Sequence, residues 1–257
     1  MRHEIKLPES FKIESMNAVM KDWELKMRYY KTGDEAVFDA LKCKFISPTG
    51  VAMLLSFRDR LNDIGIRTYI RRSVASNINK YLKIFGLIGD EERDTFVTTL
   101  SRYAVKICRC MCYDDCLKAQ KDIMYQVGKR IDFVPDTKAA LDYMLTEIWD
   151  NAGVHGYKCY DMDDVYPKPI YICAFSYKNF VEVAILDRGQ GIHNSLRNNS
   201  EYVNVSSRDA VVLSVKDGVS GHPKGSPGFG LYCTTEFVKD NNGKFYIWSS
   251  GVNYSFQ

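Results

Sequence analysis

The stretch "LTEIWDNAGVHG", residues 145–156, decides how this chain is read. Leu141, Met144, Leu145, Ile148 and Ala152 recur at helical spacing and predict an amphipathic helix over 137–153 with one buried stripe. Four residues advance a helix by about 40° beyond a full turn, so Glu147, Asn151 and His155 climb one edge of that stripe. A carboxylate and a carboxamide at the margin of a core either meet solvent or face a pocket. The rest of the chain has to supply what such a row could hold.

Two glycine-bearing segments follow downstream. "FVEVAIL" reads as a strand, with Asp187 at its end and "RGQGI" after it. An acid there can accept a hydrogen bond from an exocyclic amine, and Gly189 and Gly191 let a ligand approach the backbone. Further on, "GSPGFGLYCTTEFV" places Gly225, Gly228 and Gly230 ahead of a helix beginning near Leu231. Unpaired N–H groups at such a helix start form an anion site suited to phosphates. Each element alone is ordinary. The three in this order and at these separations are not.

Together they resemble the GHKL ATPase superfamily, which groups DNA gyrase, heat-shock chaperones, histidine kinases and mismatch-repair ATPases. "EIWDNAGVH" is similar to the N-box through Glu147 and Asn151, "DRGQGI" to the first glycine box and "GSPGFGL" to the second. "NNGKFYIWSSG" looks like the closing strand hairpin of that fold. The resemblance covers roughly residues 100–257 and lies nearest the histidine-kinase and anti-sigma-kinase branch. It implies an α/β sandwich with a mixed sheet and an ATP lid from about His193 to Lys224. It implies that Asn151 binds Mg2+ through its side-chain oxygen and that Glu147 orients or deprotonates a water or acceptor hydroxyl. Asp187 would read the adenine amino group, with Gly189, Gly191 and Ile192 around the base. The N–H groups of Gly228, Phe229, Gly230 and Leu231 would hold the phosphates. Lys224, Lys216 or Arg208 could meet the γ-phosphate, Lys224 lying closest to the glycine box. His155 would contact phosphate or lid, or serve the helix end. Pro227 inside the second glycine box and bulky Trp149 beside the N-box depart from the pattern.

The N-terminal part reads separately. "EAVFDALKCKFI" predicts a strand region. Ser47 can cap and Pro48 can open the helix that follows, which ends at Gly65. "IRTYI" predicts a second strand, and Ser73 can cap a helix whose apolar face carries Ile78, Tyr81, Leu82 and Phe85. From "FISPTGVAMLL", "LNDIGI" and "YLKIFGL", residues 1–92 resemble a STAS domain, a helix-covered sheet, with residues 93–257 forming the ATPase domain. The family's Asp-Ser-Ser-Gly phosphoacceptor turn corresponds to Ser47, Pro48, Thr49 and Gly50. Thr49 keeps a hydroxyl but the aspartate is lost, which implies an interaction module without phosphoryl control. Beyond it, "RYAVKICRC" predicts a strand, "DDCLKAQKDIMYQVGKR" a helix, and "YICAFSY" with "FVEVAILD" an antiparallel pair joined through "KN". Asp136 can cap the helix that carries the opening stretch.

A net charge of +3 is too small to imply nucleic acid, and Arg71–Arg72 reads as a solvated edge. No apolar run is long enough to span a bilayer, and "MRHEIKLPES" lacks the apolar core of an export signal, so a cytoplasmic protein is expected. The eight cysteines are then reduced thiols. Cys108, Cys110, Cys112 and Cys116 crowd together. Period-two alternation would put the first three on one strand face as small buried hydrophobes, and a zinc site is the alternative.

The reading is an α/β (α+β) chain: an ATP- and Mg2+-binding regulatory ATPase or protein kinase, with a protein partner met through the STAS-like domain. Dimers are common among such relatives. It is not a self-sufficient histidine kinase, because none of His3, His155, His193 and His222 lies in a phosphoacceptor helix ahead of the ATPase domain. The competing reading is a nucleotide sensor that switches conformation with little turnover.

Overall fold

The computed structural model describes residues 1–88, 104–129, 135–159, 161–221 and 228–256. Helices and strands intermingle there in four small sheets, an α+β arrangement. Two compact units form without following linear order: Met1–Cys108 with Tyr171–Leu186, and Arg109–Ile170 with Asp187–Gln257. The boundary expected at residues 92–93 lies outside the described residues.

In the first unit, β1 (Arg2–Lys6), β2 (Ser10–Phe11), α1 (Met16–Met27), β3 (Glu35–Asp39) and β4 (Phe45–Ile46) precede α2 (Pro48–Asp63). β5 (Arg67–Arg71) and α3 (Ser76–Ile84) follow. β1, β3 and β5 form a parallel sheet in that order, with Lys6 opposite Asp39 and Asp39 opposite Arg71. β1 and α1 give little sequence signal, because only Ile5 is buried in the strand and only Met16, Val19 and Trp23 in the helix. Trp23 nevertheless centres the core, 4.7 Å from Phe57 and 5.5 Å from Phe38 by ring centroid. Arg71 pairs with Asp39 (3.0 Å) and Glu4 (3.5 Å) at the sheet edge.

α2 starts and stops as the residues dictate. Ser47 Oγ accepts from Gly50 N, Pro48 sits at the first position, and Gly65 takes φ +81° beyond the end. Every residue from Gly50 to Phe57 is buried, so this is a core helix rather than a surface one. It packs against β4, β5 and the antiparallel hairpin of β7 (Ile170–Ser176) and β8 (Val181–Leu186), which turns through Lys178 and Asn179. β6 (Ala104–Cys110) flanks β7 in the same sheet. Thr49 N and Oγ1 both donate to Glu182 Oε1 (3.3 and 3.0 Å), and Cys173 Sγ donates to Pro48 O (3.3 Å). Tyr171 OH donates to Asp59 Oδ2 (2.8 Å). Ser73 does not cap α3. Its hydroxyl donates to Cys43 O and accepts from Ala75 N, a tight local turn that places it too early for the helix.

The second unit holds α4 (Tyr113–Gly128), α5 (Pro135–Asn151), a π turn (Ala152–Gly156), α6 (Gly191–Leu196), α7 (Ser207–Leu213) and α8 (Gly230–Asp240). The hairpin of β9 (Phe245–Ser249) and β10 (Val252–Phe256) closes it. Ser250 and Gly251 make the two-residue turn with φ +53° and +78°, the left-handed pair a tight hairpin needs. Val211, Val215 and Ile247 form a small core, against which Ile192 and Leu231 pack. Asp136 lies inside the first turn of α5 rather than at its cap, where its charge still suits the helix dipole.

The buried face of α5 is rotated from the expected stripe. Leu145, Trp149 and Ala152 are buried, whereas Leu141, Met144 and Ile148 are only half-buried. Trp149 explains the rotation. Its indole N–H donates to Gln120 Oε1 (2.5 Å) and its ring meets Tyr113 edge-on, so α4 draws that face inward.

The cysteine alternation stops at Cys110, the last residue of β6, because Cys112 is already the N-cap of α4. Cys110 and Cys116 are buried, and their mutual hydrogen bond and the burial push the Cys110 thiol up. None of the eight cysteines forms a disulfide. Among the described residues no three His, Cys, Asp or Glu side chains gather to hold a metal ion.

Candidate functional site

The second glycine segment meets α5 at Glu147. Gly228 has φ +67°, and a Cβ there would lie 2.6 Å from Val219 O, so only glycine fits. Phe229 then caps α8 without a side-chain hydrogen bond, and Gly230 opens the helix. A Cβ on Gly230 would overlap Glu147 Oε2, which places the carboxylate against the start of α8. Negative charge there is favourable to the helix dipole.

The first glycine segment meets the other end of the same element. The helix does not run on to His155. It widens into the π turn, where Tyr157 N–H reaches Ala152 O, and the broader ring breaks the four-residue register beyond Asn151. Tyr143, Glu147 and Asn151 follow one another at four-residue spacing on α5, whereas His155 falls within the π turn. The π turn brings Gly156 against the strand end: a Cβ on Gly189 would lie 2.5 Å from Gly156 O, and one on Gly156 would lie 3.2 Å from Asp187 Oδ1. Gln190 fastens the contact, its backbone N–H donating to Gly156 O (3.0 Å) and its amide to His155 O (2.6 Å). Tyr157 Oη accepts from Arg188 N (2.7 Å) and donates to Pro169 O (3.2 Å). Gly191, at φ +75°, and Ile192, whose N–H donates to Ser249 Oγ (2.9 Å), then start α6.

Asp187 is exposed to solvent at the end of β8, beside Gly189 and Gly156. Partial desolvation by the neighbouring backbone pushes its carboxyl above its ordinary value, against the opposing donation from Gly189 N (2.7 Å). Asp150 is also pushed up, by burial and by Glu147. Asn151 lies between the two glycine contacts, and its Nδ2 is buried without a hydrogen-bond partner. A buried amide left unpaired costs about 1–3 kcal/mol, so something has to compensate for it.

Glu147 to Gly156 thus carries both glycine turns, about 13 Å apart along its axis, with an unpaired amide between them. Glu147, Asn151, Asp187, Gly189 and Gly230 are tied to this one element, with Gly191, Ile192, Gly228, Phe229 and Leu231 adjacent in chain. Ile192 and Leu231 turn their side chains into the small core, leaving only their backbone to a ligand. Lys224, Gly225 and Pro227 lie outside the described residues. Within the expected lid, His193 Nε2 pairs with Val205 O (3.0 Å), Asn199 Nδ2 donates to Ser220 O (3.1 Å), and Ala210 and Val211 are buried. Arg208 and Lys216 are exposed. The sequence reading missed Gly156 and Tyr157; the written signal was the glycine pair bracketing "GVHG". No protein-family model, curated protein or solved structure matches the chain.

Proposed function

We propose that the chain is an ATP- and Mg2+-binding regulatory protein of GHKL type, an ATPase or serine/threonine-type kinase, with residues 1–92 acting as a STAS-like interaction module. One observation carries the reading. A single helical segment abuts both glycine turns, and its one unpaired buried amide, Asn151, lies between them. The residues present fit the cation. Rotating an amide exchanges its nitrogen and oxygen, so Asn151 can offer a hard oxygen ligand, with nucleotide phosphates completing the shell. Bound Mg2+ would neutralise phosphate charge. The backbone at Gly228–Leu231 would receive the phosphates, Asp187 would accept from the adenine amine, and Glu147 would orient the attacking water or hydroxyl.

Calorimetric titration with ATP and a non-hydrolysable analogue, with and without Mg2+, tests this. Wild type binds in a Mg2+-dependent way and Asn151→Ala does not; absence of binding by wild type sinks the proposal.

A second reading, a nucleotide sensor with little turnover, draws on Thr49. The hydroxyl that stands where STAS domains carry their phosphoacceptor is engaged by Glu182, so no acceptor stands free there. Glu147→Ala separates the two: an enzyme loses turnover and keeps binding, whereas a sensor keeps its response to nucleotide.

A further inference from the structure

Side chains as well as backbone join the π turn to the glycine turn after β8. The half-buried Tyr157 bridges two backbone segments through its hydroxyl, taking the N–H of Arg188 (2.7 Å) and giving its proton to Pro169 O (3.2 Å). The amide it takes belongs to the peptide that Asp187 itself begins. Gln190 fastens the turn three residues beyond Asp187. Its side-chain amide donates to His155 O (2.6 Å) and its backbone N–H to Gly156 O (3.0 Å), two carbonyls that a helical segment leaves unpaired at its end. Within this frame Asp187 Oδ1 accepts from Gly189 N (2.7 Å) and lies 3.2 Å from where a Cβ on Gly156 would stand. The carboxylate is therefore held by a turn pinned at Arg188 and again at Gln190.

We infer that Tyr157 and Gln190 are positioning residues that fix Asp187 for discrimination of the nucleobase, without themselves touching nucleotide. This rests on the proposed function and adds to it the residues on which base selectivity depends. An aspartate side chain is short, so its carboxylate is aimed by the peptide that carries it. Released at Arg188 or at Gln190, the turn can tilt, and a hydrogen bond to an exocyclic amine weakens as its distance and angle degrade. A fixed acceptor also rejects. A carbonyl in place of the amine would set two acceptors against each other and leave the carboxylate unpaired.

Calorimetric titration with Mg2+ compares ATP with inosine triphosphate, in which a carbonyl replaces the exocyclic amine. The proteins are wild type, Tyr157→Phe, Gln190→Ala, Asp187→Ala and the Tyr157→Phe/Asp187→Ala double variant. Wild type should prefer ATP. Tyr157→Phe should weaken ATP about five- to tenfold, the size of one hydrogen bond, and leave inosine triphosphate within about twofold of wild type. Gln190→Ala should act in the same direction to a smaller degree, and it decides the matter if Tyr157→Phe does not fold. In the Asp187→Ala background Tyr157→Phe should have no further effect on ATP, since no carboxylate is left to aim. Equal losses for both nucleotides, which a merely structural role predicts, overturn the inference. So do an unchanged ratio between them, additivity with Asp187→Ala, or a wild-type chain that binds both alike. Failure of wild type to bind either nucleotide overturns the proposed function instead.

Discussion

Gly189 and Gly230 both sit where a Cβ cannot be placed, but the obstacles differ in kind. At Gly189 the obstacle is backbone, the carbonyl of Gly156, which cannot move without dismantling the π turn. Gly189→Ala should therefore cost about 2–4 kcal/mol by chemical denaturation. At Gly230 the obstacle is the tip of Glu147, which can swing aside. Gly230→Ala should stay within about 1 kcal/mol of wild type, yet lose turnover roughly a hundredfold as the carboxylate is displaced. Asp187 gives a pH signature. Its folded pKa is raised above its unfolded value, so the folded state holds the proton more tightly and stability from this group falls as pH rises through that window. Asp187→Asn should then melt higher than wild type at pH 7, the difference closing as pH approaches about 4. Followed calorimetrically across pH, a constant difference would refute this.

The elements were legible where their signals are local. Ser47, Pro48 and Gly65 delimit α2 because cap, first-turn proline and left-handed glycine act within a few residues. Ser73 misled for the same reason: its hydroxyl found a nearer backbone partner than the helix. The face of α5 and the place of His155 were not legible, since Gln120 and Tyr113 turn Trp149 inward and the π turn changes the period. The start of α2 carries a contact no local rule suggests, the carboxylate of Glu182 across 133 positions in sequence. Thr49→Ala and Glu182→Ala should each cost about 1 kcal/mol, and the double variant less than their sum. Additive losses would show that the two do not act as one cap.

At the scale of the whole chain, nucleotide should protect some backbone amides and leave others alone. Hydrogen exchange with ATP and Mg2+ should slow at 145–156, 187–196 and 228–240 and stay unchanged in β1, β3 and β5. Uniform slowing would argue against a site confined to the second unit. Among the described residues no helix is long and apolar enough to cross a membrane. Periodicity, caps and glycines, whose physics acts over one or two turns, were enough to place most helices and strands and to single out Glu147, Asn151, Asp187 and the two glycine turns. Distance-dependent facts needed the folded chain: that Tyr171–Leu186 joins the first compact unit, that Gly156 and Gly230 lie at opposite ends of one helical segment's contacts, and that His155 falls in a π turn rather than on α5. Close packing between residues far apart in sequence selects among faces that local propensity leaves equivalent.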